Sequence, residues 1–172
     1  MRTATLIAAA GLLLTISAWA QEVTYDYDKT ADFSAFKTYA WIDGHRVPDD
    51  LNHKRIVGAV DSQLVSKGLR EVEPGGNADV LVTYHAGTRQ ELEVTGSGTG
   101  AYRLNRWGSA RVAQVTVGAL AVEVIDAKTK SVVWRGVATK DIDANESPEK
   151  REKNLNKVAE KLFKNYPPAK KG

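Results

Sequence analysis

The residues best suited by type and spacing to do chemistry gather between Thr95 and Arg111. Arg103, Arg106 and Arg111 stand there beside Tyr102 and Trp107, among Gly96, Gly98, Gly100 and Gly108. Arginine and aromatic side chains are enriched at binding surfaces, and the planar guanidinium matches phosphate or carboxylate with two parallel hydrogen bonds. Four glycines in so short a run make regular structure costly, so the stretch reads as a mobile loop. The chemistry on offer is recognition of a partner carrying phosphate or carboxylate groups. The same residues also fit an ordinary hairpin loop with Trp107 folded against a sheet.

Other arrangements look catalytic or metal-binding only at first sight. Ser34-Ala-Phe-Lys37 and Ser147-Pro-Glu-Lys150 both match the serine-x-x-lysine pattern of penicillin-recognising enzymes, without that class's companion motifs. The carboxylates of Asp26 to Asp32 approach a calcium loop, but Ala31 and Lys37 occupy the positions where glycine and glutamate are needed. They read better as turn formers. His45, His53 and His85 lack a ligand spacing such as the helical i, i+4 pair and read as ordinary surface or edge histidines. Gly96-Ser-Gly-Thr-Gly100 suggests a nucleotide loop, yet no helical stripe follows it. Lys153, Lys157, Lys161 and Lys164 read as the solvated face of a helix.

The elements that must position these residues belong to one globular domain. Hydrophobic residues make up 42% of the 172-residue chain and charged residues 26%, with no cysteine. Disulfides, thiolate metal sites, cysteine nucleophiles and acylation at a mature N-terminal cysteine are therefore excluded. A formal charge of +3 is too small to mark a nucleic-acid partner. Met1 and Arg2, an apolar run over residues 6–16 and Ala18-Trp-Ala20 have the layout of a secretory signal peptide. Cleavage after Ala20 leaves Gln21 to Gly172 as a single domain in the periplasm, with no transmembrane helix. The run is short for a bilayer span.

Within that domain Val23, Tyr25 and Tyr27 alternate as a strand, and residues 37–42 resume as another. Pro48-Asp-Asp50 opens a helix with Leu51, Ile56, Val57, Val60, Leu64 and Val65 on one stripe, ending at Lys67-Gly68. A short strand is expected over 69–73 and a long one over 78–94, with Val80, Val82 and Tyr84 on one face. From Val112 the apolar residues fall on odd positions until Val117 and on even ones from Leu120, which suggests a β-bulge at Gly118. Gly118 to Asp126 and Ser131 to Thr139 form a hairpin across an Asp126 turn, with Trp134 and Val132 against the apolar face of the first strand. Ser147-Pro148 caps a last helix bearing Leu155, Val158, Ala159, Leu162, Phe163 and Tyr166. Two one-faced helices need one apolar sheet face, so the fold class is α+β: two helices packed on one face of a mixed, largely antiparallel sheet.

Tyr25-Asp-Tyr-Asp28 followed by Asp32-Phe-Ser-Ala-Phe-Lys-Thr-Tyr-Ala-Trp41 resembles the opening of domain of unknown function 4136, a family of bacterial envelope proteins. Lys67-Gly-Leu69, Ala78-Asp-Val-Leu-Val82, Val133-Trp-Arg-Gly136 and Tyr166-Pro-Pro168 extend the resemblance in order over the mature chain. Many relatives look like lipoproteins; without a cysteine this chain is lipoprotein-like but cannot be acylated. The resemblance implies an envelope compartment, no cofactor and no catalytic residues. The expectation is a non-enzymatic interaction or structural module meeting an envelope protein or an anionic envelope polymer through Tyr102, Arg103, Arg106, Trp107 and Arg111. Alternatives are a carrier of a small apolar ligand between helices and sheet, which an apolar cavity open to solvent would favour, and an envelope hydrolase.

Overall fold

The computed structural model describes residues 22–44, 47–96 and 110–169. Among these, the chain forms β1 (Glu22–Tyr27), a single 3-10 turn (Phe33–Ala35), β2 (Thr38–Trp41), α1 (Asp50–Ser66), β3 (Arg70–Glu71), β4 (Val80–Gly96), β5 (Ala110–Asp126), β6 (Val132–Ile142) and α2 (Pro148–Phe163). The six described strands make one sheet in the order β1-β6-β5-β4-β2-β3. Strands β4, β5 and β6 run as an antiparallel meander, and β1 adds antiparallel to β6. Helix α1 carries the chain back over the sheet, so β2 pairs in parallel with both β3 and β4. This is the α+β class expected from the sequence.

Both helices cover one face. Val80, Val82 and Tyr84 of β4, Leu120, Val122 and Val124 of β5, and Trp134 and Ala138 of β6 alternate toward them and are buried. Ile56, Ala59, Val60 and Leu64 answer from α1, and Val158, Ala159, Leu162 and Phe163 from α2. The α1 stripe is narrower than its sequence suggests. Leu51 and Val65 are 61% and 60% exposed, outside the narrower buried band of Ile56, Ala59, Val60 and Leu64. Gly68 ends the helix with φ +88, the left-handed conformation that glycine takes without strain.

Two expectations about the meander need correction. Strand β5 pairs with β4 in one unbroken register from Asp126 to Ala110, so no bulge stands at Gly118. The odd-numbered Val117 is buried on the face away from the helices, which accounts for the change of parity without an inserted residue. Gly118 serves instead to make room, since a Cβ there would lie 2.5 Å from Ile142 Cδ1. The register shift falls between β5 and β6, where Val124 faces Trp134 and Ile125 faces Val132. That irregularity carries Val133 into the core and leaves Val132 45% exposed. Trp134 is fully buried, as the sequence predicts. Strands β4 and β5 also extend further than expected, taking in Thr95, Gly96, Ala110 and Arg111 from the stretch read as loop.

Candidate functional site: a cavity at the helix starts

Both helices begin at the same end of the sheet. In α1, His53 contacts Tyr84 while Asp61, further along, reaches Tyr39. Helix α2 starts beyond the end of β6 at Ile142 and finishes with Phe163 stacked on Trp134, centroids 5.0 Å apart. At the helix starts the sheet residues that face the helices become small: Ala86 on β4, Gly118 on β5, Ala138 on β6. Helices held at a fixed height above small side chains leave space, here a cavity of about 540 Å³ open to solvent. Leu120 shares the floor, and Val47, Pro48, Ile56, Leu155 and Val158 supply apolar walls. The volume falls in the range that accepts small molecules, and the surface is of the apolar kind such sites use.

The mouth is polar and held by short-range bonds. Ser147 accepts from the Lys150 amide at 3.3 Å and so caps α2, with Pro148 in its first turn. Glu146 Oε1 accepts from Asn154 Nδ2 at 2.6 Å and lies 3.9 Å from the ammonium groups of both Lys140 and Lys150. Asp49 caps α1 by accepting from the amides of Leu51 and Asn52 at 2.8 and 3.2 Å. Asn52 and Arg151 complete the rim. Apolar surface inside and fixed polar groups outside can hold an apolar body by its shape and orient a polar end.

Beside the cavity, polar side chains tie the elements together. Asp61 Oδ1 accepts from Tyr39 OH and Trp41 Nε1, both at 2.8 Å, joining α1 to β2. Burial first, and then the Asp61 hydrogen bond, push the Tyr39 hydroxyl well above its ordinary range, so it stays protonated and donating. His53 Nδ1 lies 2.7 Å from Tyr84 OH with the rings stacked, so this histidine is a packing element of α1. On the opposite sheet face the buried Glu123 carboxylate accepts from the Arg135 guanidinium, with His85 Nε2 at 3.8 Å. Asp79 accepts from the amides of Lys37 and Thr38 and from the Thr38 hydroxyl, all within 3.0 Å. The Lys37 amide above all, followed by Thr38, holds the Asp79 carboxyl below its ordinary value.

The described residues singled out from the sequence as catalytic or metal-binding do not line this cavity. Tyr102, Arg103, Arg106 and Trp107 lie outside the described residues, as do His45 and residues 1–20, expected from the sequence to be a leader; Arg111 is described in its backbone alone, paired with Thr95. Ser34 donates its hydroxyl to Asp32 at 2.6 Å in the 3-10 turn, and Ser147 is a cap. Asp28 and Asp32 accept hydrogen bonds from Thr30 and Ser34, as turn formers do. The sequence suggests a carrier built between helices and sheet, and it marks Ile56, Leu120, Leu155 and Val158 as core residues of their elements, not as the lining of a cavity. The available signal was the set of small residues on the helix-facing side of three neighbouring strands, Ala86, Gly118 and Ala138.

Comparison with known proteins places this fold. The model of the family described as Domain of unknown function (DUF4136) matches residues 23–168. No curated protein matches the chain by sequence. Among solved structures, a PDZ domain protein from Parabacteroides distasonis is 17% identical with a TM-score of 0.57; the match covers 88% of this chain and 37% of that one. PelC from Paraburkholderia phytofirmans, solved as a dodecamer, is 12% identical with a TM-score of 0.53, over 84% of this chain and 95% of that one. At these identities the likeness is one of fold.

Proposed function

This chain belongs to the DUF4136 family, and from that premise we propose that it is a secreted, non-enzymatic module of the cell envelope that binds a small, largely apolar molecule. The cavity between the helix starts and the sheet carries this reading. It is built from backbone-lined, small-residue floor and aliphatic walls, and it opens at a fixed polar mouth. Filling it removes apolar surface from water at about 25 cal/mol per Å², enough for a modest ligand to be held without any covalent step. Export is supported by the charged start, the apolar run and the Ala18-Trp-Ala20 site.

Titration with N-phenyl-1-naphthylamine, a neutral apolar dye that brightens out of water, tests the binding role. Saturable brightening by the wild type and its loss in Ala86→Phe, whose ring would occupy the floor, is the expected result. Brightening that is absent, or unchanged in Ala86→Phe, contradicts it. Intact-mass measurement of protein from the periplasmic fraction should show a chain that starts at Gln21; a full-length mass in the membrane fraction would refute cleavage.

A further inference from the structure

Arg151 differs from the other charged groups of the cavity mouth. It is half-buried, lines the cavity and, among the described residues, donates from Nη2 to the Glu146 carbonyl alone, at 3.4 Å. No carboxylate lies within salt-bridge distance of its guanidinium among the described residues. Glu146 is already engaged by Asn154 and by the ammonium groups of Lys140 and Lys150. Asp141, although at the margin, belongs to the set of β6 residues that alternates away from Ala138 and Lys140, and it is exposed. The inward-facing mouth therefore holds Lys140 and Arg151 against one carboxylate, and the surplus cation is the one with a planar hydrogen-bonding fork.

An apolar cavity with one guanidinium at its mouth that no described carboxylate pairs with is complementary to a molecule of one apolar body and one anionic end. Resting on the cavity reading above, we infer that the site takes a single-chain anionic amphiphile. Its hydrocarbon lies over Ala86, Leu120 and Ala138, and its head group sits on Arg151. The partly buried setting strengthens the ion pair relative to one in open water, because less solvent screens it. A neutral amphiphile of equal length would keep the hydrocarbon contact and lose the head group's charge-assisted hydrogen bonds.

Displacement of N-phenyl-1-naphthylamine tests this with four probes built on a ten-carbon chain, used below any micelle concentration: decanoate, decyl phosphate, decanol and decyltrimethylammonium. The anionic probes should displace the dye at roughly tenfold lower concentration than decanol, the factor expected of a charge-assisted hydrogen bond. Decanoate and decyl phosphate separate a carboxylate from a phosphate source. Arg151→Gln should erase the difference between the anionic probes and decanol, and Arg151→Lys should keep part of it. Equal displacement by decanol and both anions, or an unchanged preference in Arg151→Gln, overturns the inference and leaves the cavity reading standing. Failure of the dye and of every probe to bind overturns both.

Discussion

The helix–sheet interface is solid at one end and hollow at the other. At the solid end Trp134, Phe163 and Tyr166 are buried and in mutual ring contact, with Phe33 against Tyr166 at 5.9 Å. Burial there pushes the Tyr166 hydroxyl up to about 12. At the hollow end the same two helices stand over Ala86, Gly118 and Ala138, and about 540 Å³ stays open. The difference is one of side-chain volume, since the sheet and both helices are continuous between the ends. Large aromatic groups at one end fix the separation of the layers. Small residues at the other, held at that separation, cannot close the gap.

Substitutions should divide along the same line. The largest effect is expected at the solid end, where Trp134→Ala should cost about 3–5 kcal/mol in chemical denaturation, the usual range for deleting a core aromatic. A cost below about 1 kcal/mol would place Trp134 outside the load of the core. Gly136→Ala comes next, at about 1–3 kcal/mol from overpacking. Its added Cβ would sit 2.8 Å from Leu162 Cδ1 and against the Trp134 ring. Ser147→Ala, at the start of α2, should lower stability by about 1 kcal/mol through loss of the cap. Ala86→Phe should change the melting temperature least while removing dye binding, because its ring enters existing space.

A pH titration sharpens the comparison where the start of β4 meets β2. Asp79 binds its proton less readily in the folded chain than its ordinary value of 3.8 implies. Its contribution to stability is therefore present above that value and is lost as pH falls through the lower folded one. Asp79→Asn should flatten the acid limb of the stability curve below about pH 4, with little change at neutral pH beyond the lost hydrogen bonds. An acid limb identical to that of the wild type would remove Asp79 from that role.

The solid end was the legible one. Trp134, Leu162, Phe163 and Tyr166 declare themselves by size and spacing, and the Asp126 turn by a side chain that accepts from Lys128 and Thr129 at 2.7 and 2.9 Å. The residues that carry the family resemblance, among them Asp32, Phe33, Asp79, Trp134 and Tyr166, cap, clamp or fill this frame. The hollow end was not legible, for the complementary reason. A cavity is made by what side chains lack, and Ala86 or Ala138 reads in sequence as an unremarkable strand residue. Parity along one strand suggests a bulge at Gly118 because it cannot report Ile142 lying across it. The exposure of Leu51 and Val65 likewise depends on how α1 is rolled against its neighbours, which helical spacing alone leaves open.

Methyl-resolved NMR during titration with N-phenyl-1-naphthylamine tests the cavity most directly. Saturable shifts are expected at the methyls of Ala86, Leu120, Ala138, Leu155 and Val158, with those of Val80 and Leu162 at the solid end nearly still. Shifts confined to the solid end, or a spectrum unchanged at saturating dye, would contradict a binding site at the helix starts.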